Sequence, residues 1–112
     1  MTTDWDALPD TVKTFITALD ARADDRALAT FTPDAVVTDE GRDHTGRDEI
    51  KSWLATSVSE YTYTSEFTGA TRTATTVDVG QQLKGNFPGG VADLHYRFAL
   101  DGALISRLVI EP

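Results

Sequence analysis

The feature that most constrains this chain is a change of period near its middle. Up to Val58 the apolar residues recur at helical spacing, and beyond it they alternate. Val12, Phe15, Ile16 and Leu19 mark an amphipathic helix over residues 9–22, with Pro9 in its first turn, where a missing N–H costs nothing. Asp24 is expected to cap a second, short helix carrying Ala27, Leu28 and Phe31, which Pro33 stops. A short strand over 35–38, a turn at Gly41 and a returning strand over 42–45 follow. Ile50, Trp53, Leu54 and Val58 then share one face of a third helix over 48–58.

In the second half Tyr61, Tyr63, Ser65 and Phe67 alternate with polar residues, the pattern of a half-buried strand. A further strand is expected over 75–84. GNFPGG (85–90) reads as a loop in which Pro88 and Gly89 take the central positions of a type II turn. Ala92, Leu94, Tyr96, Phe98 and Leu100 form one apolar row, and Asp101-Gly102 is a hairpin signal leading into a last strand over 103–110. Three early helices and four long late strands describe an α+β domain with helices beside an antiparallel sheet. At 112 residues one domain is expected. The last strand is apolar on both faces, Leu104, Leu108 and Ile110 against Ile105 and Val109. That pattern predicts a homodimer through the sheet's outer face, with His95 or Arg97 among its contacts.

Charge narrows the function. The net charge is −8, and residues 1–60 hold 13 acids against 6 bases, whereas residues 61–112 hold 5 against 4. Phosphate binding needs clustered Lys and Arg, so no nucleic-acid partner is expected. The chain has no cysteine, hence no disulfide or thiolate chemistry, and no apolar run of the ~20 residues a membrane span needs. The acidic start MTTDWDALPD is unlike a secretory signal, so a cytoplasmic location is the expectation. No nucleotide-binding glycine motif or nucleophile elbow is present, which points to chemistry without an organic cofactor. The two histidines, His44 and His95, lack supporting ligand spacing, and no metal site is expected.

The stretch FTPDAVVTDEGRDHTG (31–46) holds the candidate chemistry. Asp39 follows Val36-Val37 and is either a carboxylate at the mouth of a pocket or an acid bonding the backbone of a turn. With a two-residue loop at Glu40-Gly41, Val37 pairs with His44, and Asp39 and His44 become diagonal neighbours on one face. With a bulge at Gly41, the register slips by one and the pair is lost. Phe15, Trp53, Tyr61, Tyr63 and Phe67 are either core aromatics or the lining of a pocket for a small apolar molecule. His95, Asp93 and Arg97 lie opposite the apolar row of their strand, which directs them outward.

The order of elements, with "FTPDAVVTDEG", "HTGRDEIKSWL" and "GNFPGG…LHYRFALDGALISRLVI", resembles the nuclear transport factor 2-like superfamily. Within it the likeness is to the SnoaL-like group, relatives of polyketide cyclases and ketosteroid isomerase. The resemblance spans about Leu8 to Ile110 and implies a cone-shaped fold, three N-terminal helices packed in a curved antiparallel or mixed sheet, often dimeric through the outer face. It also implies that Asp39 stands where ketosteroid isomerase has its proton-shuttling aspartate. The isomerase's tyrosine on helix one is replaced by Phe15, and its protonated aspartate on the penultimate strand by Leu94. Losing one such donor costs about 3–4 kcal/mol of transition-state stabilisation, and both are absent, which removes ketosteroid isomerase chemistry as such. Two classes of function follow. One is cofactor-independent isomerisation, cyclisation or dehydration through Asp39, with help from His44 or a tyrosine. The other is a non-catalytic ligand-binding or dimerisation module.

Overall fold

The computed structural model describes residues 2–56 and 61–112. The elements are β1 (Thr2–Thr3), α1 (Asp10–Asp20), α2 (Asp24–Leu28), β2 (Phe31–Asp39), β3 (Arg42–Thr45), α3 (Gly46–Ala55), β4 (Tyr63–Arg72), β5 (Thr76–Gly85), β6 (Val91–Asp101) and β7 (Leu104–Glu111). Seven strands form one sheet in the order β1-β4-β5-β6-β7-β2-β3. Every neighbouring pair is antiparallel except β2 and β7, which run parallel. The sheet curls around the helices: the α+β class is the one the residue pattern predicts, and the cone is the one the resemblance implies.

Helix α1 begins one residue after Pro9, whose carbonyl accepts the N–H groups of Val12 and Lys13 at 3.0 and 3.1 Å. It ends in a Schellman arrangement: Ala23 N–H donates to Ala18 O at 2.9 Å and Arg22 N–H to Leu19 O at 3.2 Å. Arg22 takes the left-handed conformation (φ 58°) that glycine usually fills there. Asp24 is the first helical residue of α2 rather than its cap, and its side chain makes no capping bond. Phe31 belongs to β2 and not to that helix, because α2 closes at Leu28 and Pro33 is accommodated at an irregularity of β2 between Phe31 and Val36. Helix α3 starts at Gly46 and ends at Ala55; Val58, expected on its apolar face, lies outside the described residues. The short β1, pairing Thr2 with Thr71, had no readable sequence signal because two polar residues carry no period.

The core lies between the concave face of the sheet and helices α1 and α3. Phe15 is its centre, edge-to-face with Phe31 (5.3 Å between centroids) and Phe98 (5.7 Å). Trp53, Ile50, Leu54, Val79 and Leu108 complete it, all fully buried. One expectation about the last strand is corrected here. A bulge sets Arg107 opposite Ala99 but Ile105 opposite Leu100, so Ser106 is the extra residue. The parity flips, and Ile105, expected on the outer face, is wholly buried in the core. Val109 stays on the outer side beside a polar cluster. There His95 Nδ1 lies 2.8 Å from Asp78 Oδ1, and Arg97 reaches Asp78 at 3.5 Å and Glu111 at 3.0 Å. No described helix is long and apolar enough to cross a membrane.

Candidate functional site

The β2–β3 connection settles the register. Glu40 (φ 53°) and Gly41 (φ 75°) are both left-handed, as a two-residue type I′ hairpin requires. Asp39 therefore pairs with Arg42 and Val37 with His44, and the bulged alternative is excluded. Val37 is fully buried, so Asp39, two residues on, also faces the concave side. Helix α3 is tied to this hairpin at its start: Thr45 N–H donates to Glu49 Oε1 at 2.9 Å, and Arg47 Nη2 donates to Phe31 O at 2.6 Å. That anchorage sets the phase of α3 and brings Trp53 beneath the turn. Trp53 Nε1 donates to Asp39 Oδ2 at 3.0 Å. The His44 ring lies 6.1 Å from the Trp53 ring, tilted by 34°. Asp39 and His44 thus meet through the same indole rather than through a bond to each other.

Asp39 stands at the edge of a pocket of about 450 Å³. Trp53 and Leu19 line it from the helices, and Tyr63, Leu83, Leu94, Tyr96 and Ile110 line it from the sheet. Tyr61, Glu40 and the pair Phe87-Pro88 also line it, as do Ala92, Glu111 and Pro112. The expected type II turn is present, with Gly90 N–H donating to Phe87 O at 3.0 Å and Gly89 at φ 89°. This loop is more than a connection. Asn86 N–H donates to Thr62 O at 3.1 Å, Asn86 Oδ1 accepts from Thr62 N–H at 2.8 Å, and the Tyr61 and Phe87 rings meet edge-on at 6.1 Å.

Behind the aromatic wall lies a charged group. Arg22 Nη2 donates to Tyr61 O at 2.7 Å, and its guanidinium sits 4.9 Å from the centre of the Tyr63 ring. Ser65 Oγ donates to Asp20 Oδ1 at 2.7 Å. Burial pushes the Asp20 carboxyl up from its ordinary value, against the Ser65 hydrogen bond and the Arg22 charge, which pull it down. Burial also pushes the Tyr63 phenol up; Arg22 opposes this, and Asp20 and Asp39 reinforce it. Tyr96 is raised furthest, by burial first and then by Tyr63, Asp39 and Asp20. Both phenols therefore remain protonated hydroxyls near neutral pH.

Of the residues singled out in the sequence, Asp39, Trp53, Tyr61 and Tyr63 come together at this pocket. His44 lies behind Trp53, outside the lining. Phe15 sits in the core, and Phe67 packs edge-on against Trp5 at 5.7 Å, so neither reaches the pocket. Tyr96, only 3% exposed, also lines the pocket, and its sequence signal is its place in the inward row of β6. Leu94, from the same inward row of β6, also lines the pocket. Among the described residues no group of three or more His, Cys, Asp or Glu is arranged to hold a metal ion.

Comparison with known proteins agrees with this architecture. A Sinorhizobium meliloti protein described as a candidate polyketide cyclase is 32% identical, with a TM-score of 0.91 over 97% of this chain and 100% of that one. A Catenulispora acidiphila protein with a ketosteroid isomerase-like fold, solved with trimethylamine, superposes at TM-score 0.82 and 19% identity, covering 93% of this chain and 85% of its own. A Mycobacterium tuberculosis protein solved with estradiol-17β-hemisuccinate reaches 0.77 at 13% identity, covering 91% and 90%. The last two likenesses concern the fold alone. No curated protein matches the sequence. The family model for the SnoaL-like domain matches residues 12–98, and the chain belongs to that family.

Proposed function

We propose that the protein binds a small, largely apolar molecule in the pocket between α1, α3 and the sheet, with the polar end of that molecule at Asp39. The observation that carries this reading is the Asp39–Trp53 bond at the pocket's edge. It orients the carboxylate and engages Oδ2, while Oδ1 takes part in no hydrogen bond among the described residues. A few placed polar groups in an apolar concavity are the usual make-up of a small-molecule site. Titration with the uncharged dye Nile red tests it. Ala92→Trp, which fills the pocket from β6, should weaken dye binding at least tenfold while the circular dichroism spectrum stays unchanged. Undiminished binding would refute the reading.

A second reading, acid–base catalysis, is favoured by the two tyrosines. Asp39 would take a proton from carbon, and Tyr63 or Tyr96, kept protonated, would donate a hydrogen bond to the developing oxyanion. Proton NMR in D2O with a panel of small ketones checks this: wild type should exchange α-protons, and Asp39→Asn should not. A wild type that leaves every ketone unexchanged confines the protein to binding.

A further inference from the structure

We infer that the polar end of the molecule held in this pocket is a cation: an amine or quaternary ammonium on a hydrophobic body. This rests on the pocket being a ligand site, and it adds the sign of the ligand's charge. Among the described residues the pocket lining contains Asp39, Glu40 and Glu111, and no Lys, Arg or His. Glu111 is compensated from outside by Arg97 at 3.0 Å. Asp39 and Glu40 have no ion pair among the described residues. Arg42, the cross-strand partner of Asp39, is exposed and does not line the pocket. An anionic ligand would meet these two carboxylates and no basic side chain in the described lining, the nearest guanidinium, that of Arg22, lying behind the Tyr63 ring.

The walls favour the same sign independently. Trp53, Tyr61, Tyr63, Phe87 and Tyr96 give the pocket five aromatic rings, whose negative π-faces attract ammonium groups, most strongly where water is excluded. The Tyr63 ring already carries one cation, the Arg22 guanidinium, although Arg22 itself lies outside the lining. Tyr96 is buried, lines the pocket and has no hydrogen-bond partner among the described residues, so its hydroxyl is available to a bound molecule. At Tyr96, beyond desolvation, Tyr63, Asp39 and Asp20 all resist the appearance of negative charge; at Tyr63 the Arg22 guanidinium favours it, and Asp20 and Asp39 oppose it. A hydrophobic cation satisfies carboxylates and rings together, which a neutral molecule of equal shape does not.

The test uses three probes of similar size, benzyltrimethylammonium, its uncharged carbon analogue neopentylbenzene, and phenylacetate, with binding followed by tryptophan fluorescence and by NMR shifts. Benzyltrimethylammonium is expected to bind at least tenfold more tightly than neopentylbenzene, with phenylacetate weakest. High salt should shrink the difference, because the mouth carboxylates are partly solvated. Asp39→Asn and Glu40→Gln together should bring the cation and its neutral analogue within about threefold, a value that small, screened charge effects set. Each single variant provides the same comparison if the pair misfolds. Equal binding of cation and neutral analogue, or tightest binding of phenylacetate, would overturn the inference while leaving the pocket a ligand site. A preference that survives both substitutions would overturn the role given to these carboxylates. Failure of all three probes to bind would overturn the ligand-site reading as well.

Discussion

The Trp53 indole N–H donates to the Asp39 carboxylate across 3.0 Å, joining the last turn of α3 to the last residue of β2. A hydrogen bond to a charged group contributes about 1.5–3 kcal/mol when one partner is removed. Trp53→Phe should therefore destabilise the fold by about that amount, plus a further loss from the smaller ring. Asp39→Asn keeps an acceptor and should cost less. A double-mutant cycle in urea should give a coupling of at least ~0.5 kcal/mol, the lower end for groups in contact. Additive losses would show that the bond contributes nothing to stability.

The bulge in β7 makes a prediction that simple alternation does not. Ile105→Ala should cost about 2–5 kcal/mol, as expected for a buried isoleucine, and Val109→Ala distinctly less. Phe98→Ala should cost about 3–5 kcal/mol because its ring meets Phe15, whereas His95→Ala, on the outer face, should cost little. Denaturant melts decide both comparisons. Equal losses at 105 and 109 would place Ile105 on the outer face after all.

Tyr96 sets a limit at alkaline pH. Its folded pKa lies above the ordinary tyrosine value of ~10, chiefly through burial. Above pH ~10 the unfolded chain loses that proton while the folded one keeps it, so stability falls as pH rises through the unfolded value. Tyr96→Phe should flatten this fall. Absorbance of phenolate at 295 nm should show Tyr96 ionising only with unfolding, and an early, reversible ionisation of all three tyrosines would contradict it.

The homodimer proposed through the outer sheet face now has a polar surface to pack. With Ile105 in the core, the face offers Val109 and the Asp78–His95–Arg97–Glu111 cluster. Arg97→Glu should break the dimer by setting like charges beside Asp78 and Glu111. Sedimentation of the wild type as a 12.2 kDa monomer at micromolar concentration would refute the proposal.

Much of this architecture was legible in one dimension, because period is a local property. Val12, Phe15, Ile16 and Leu19 could bury together only on a helix, and the row from Ala92 to Leu100 only on a strand. The type II turn at Pro88-Gly89 and the family likeness in "FTPDAVVTDEG" were equally readable, since backbone preference and residue identity sit at single positions. What tertiary structure alone decided are relations between distant residues. The bulge that buries Ile105 arises from pairing β7 with β6, and nothing in LISRLVI announces an extra residue. Glutamate at position 40 disfavours positive φ, yet the hairpin holds it there because β2 is pinned to β7 on its other edge. Phe15 and Tyr96 are both aromatic residues on inward faces, but the curvature of the sheet sends one to the core and opens a pocket before the other. Asp39 follows the same rule. Its sequence marks the end of a strand, and only the packing of α3 beneath that strand brings the Trp53 indole to its carboxylate.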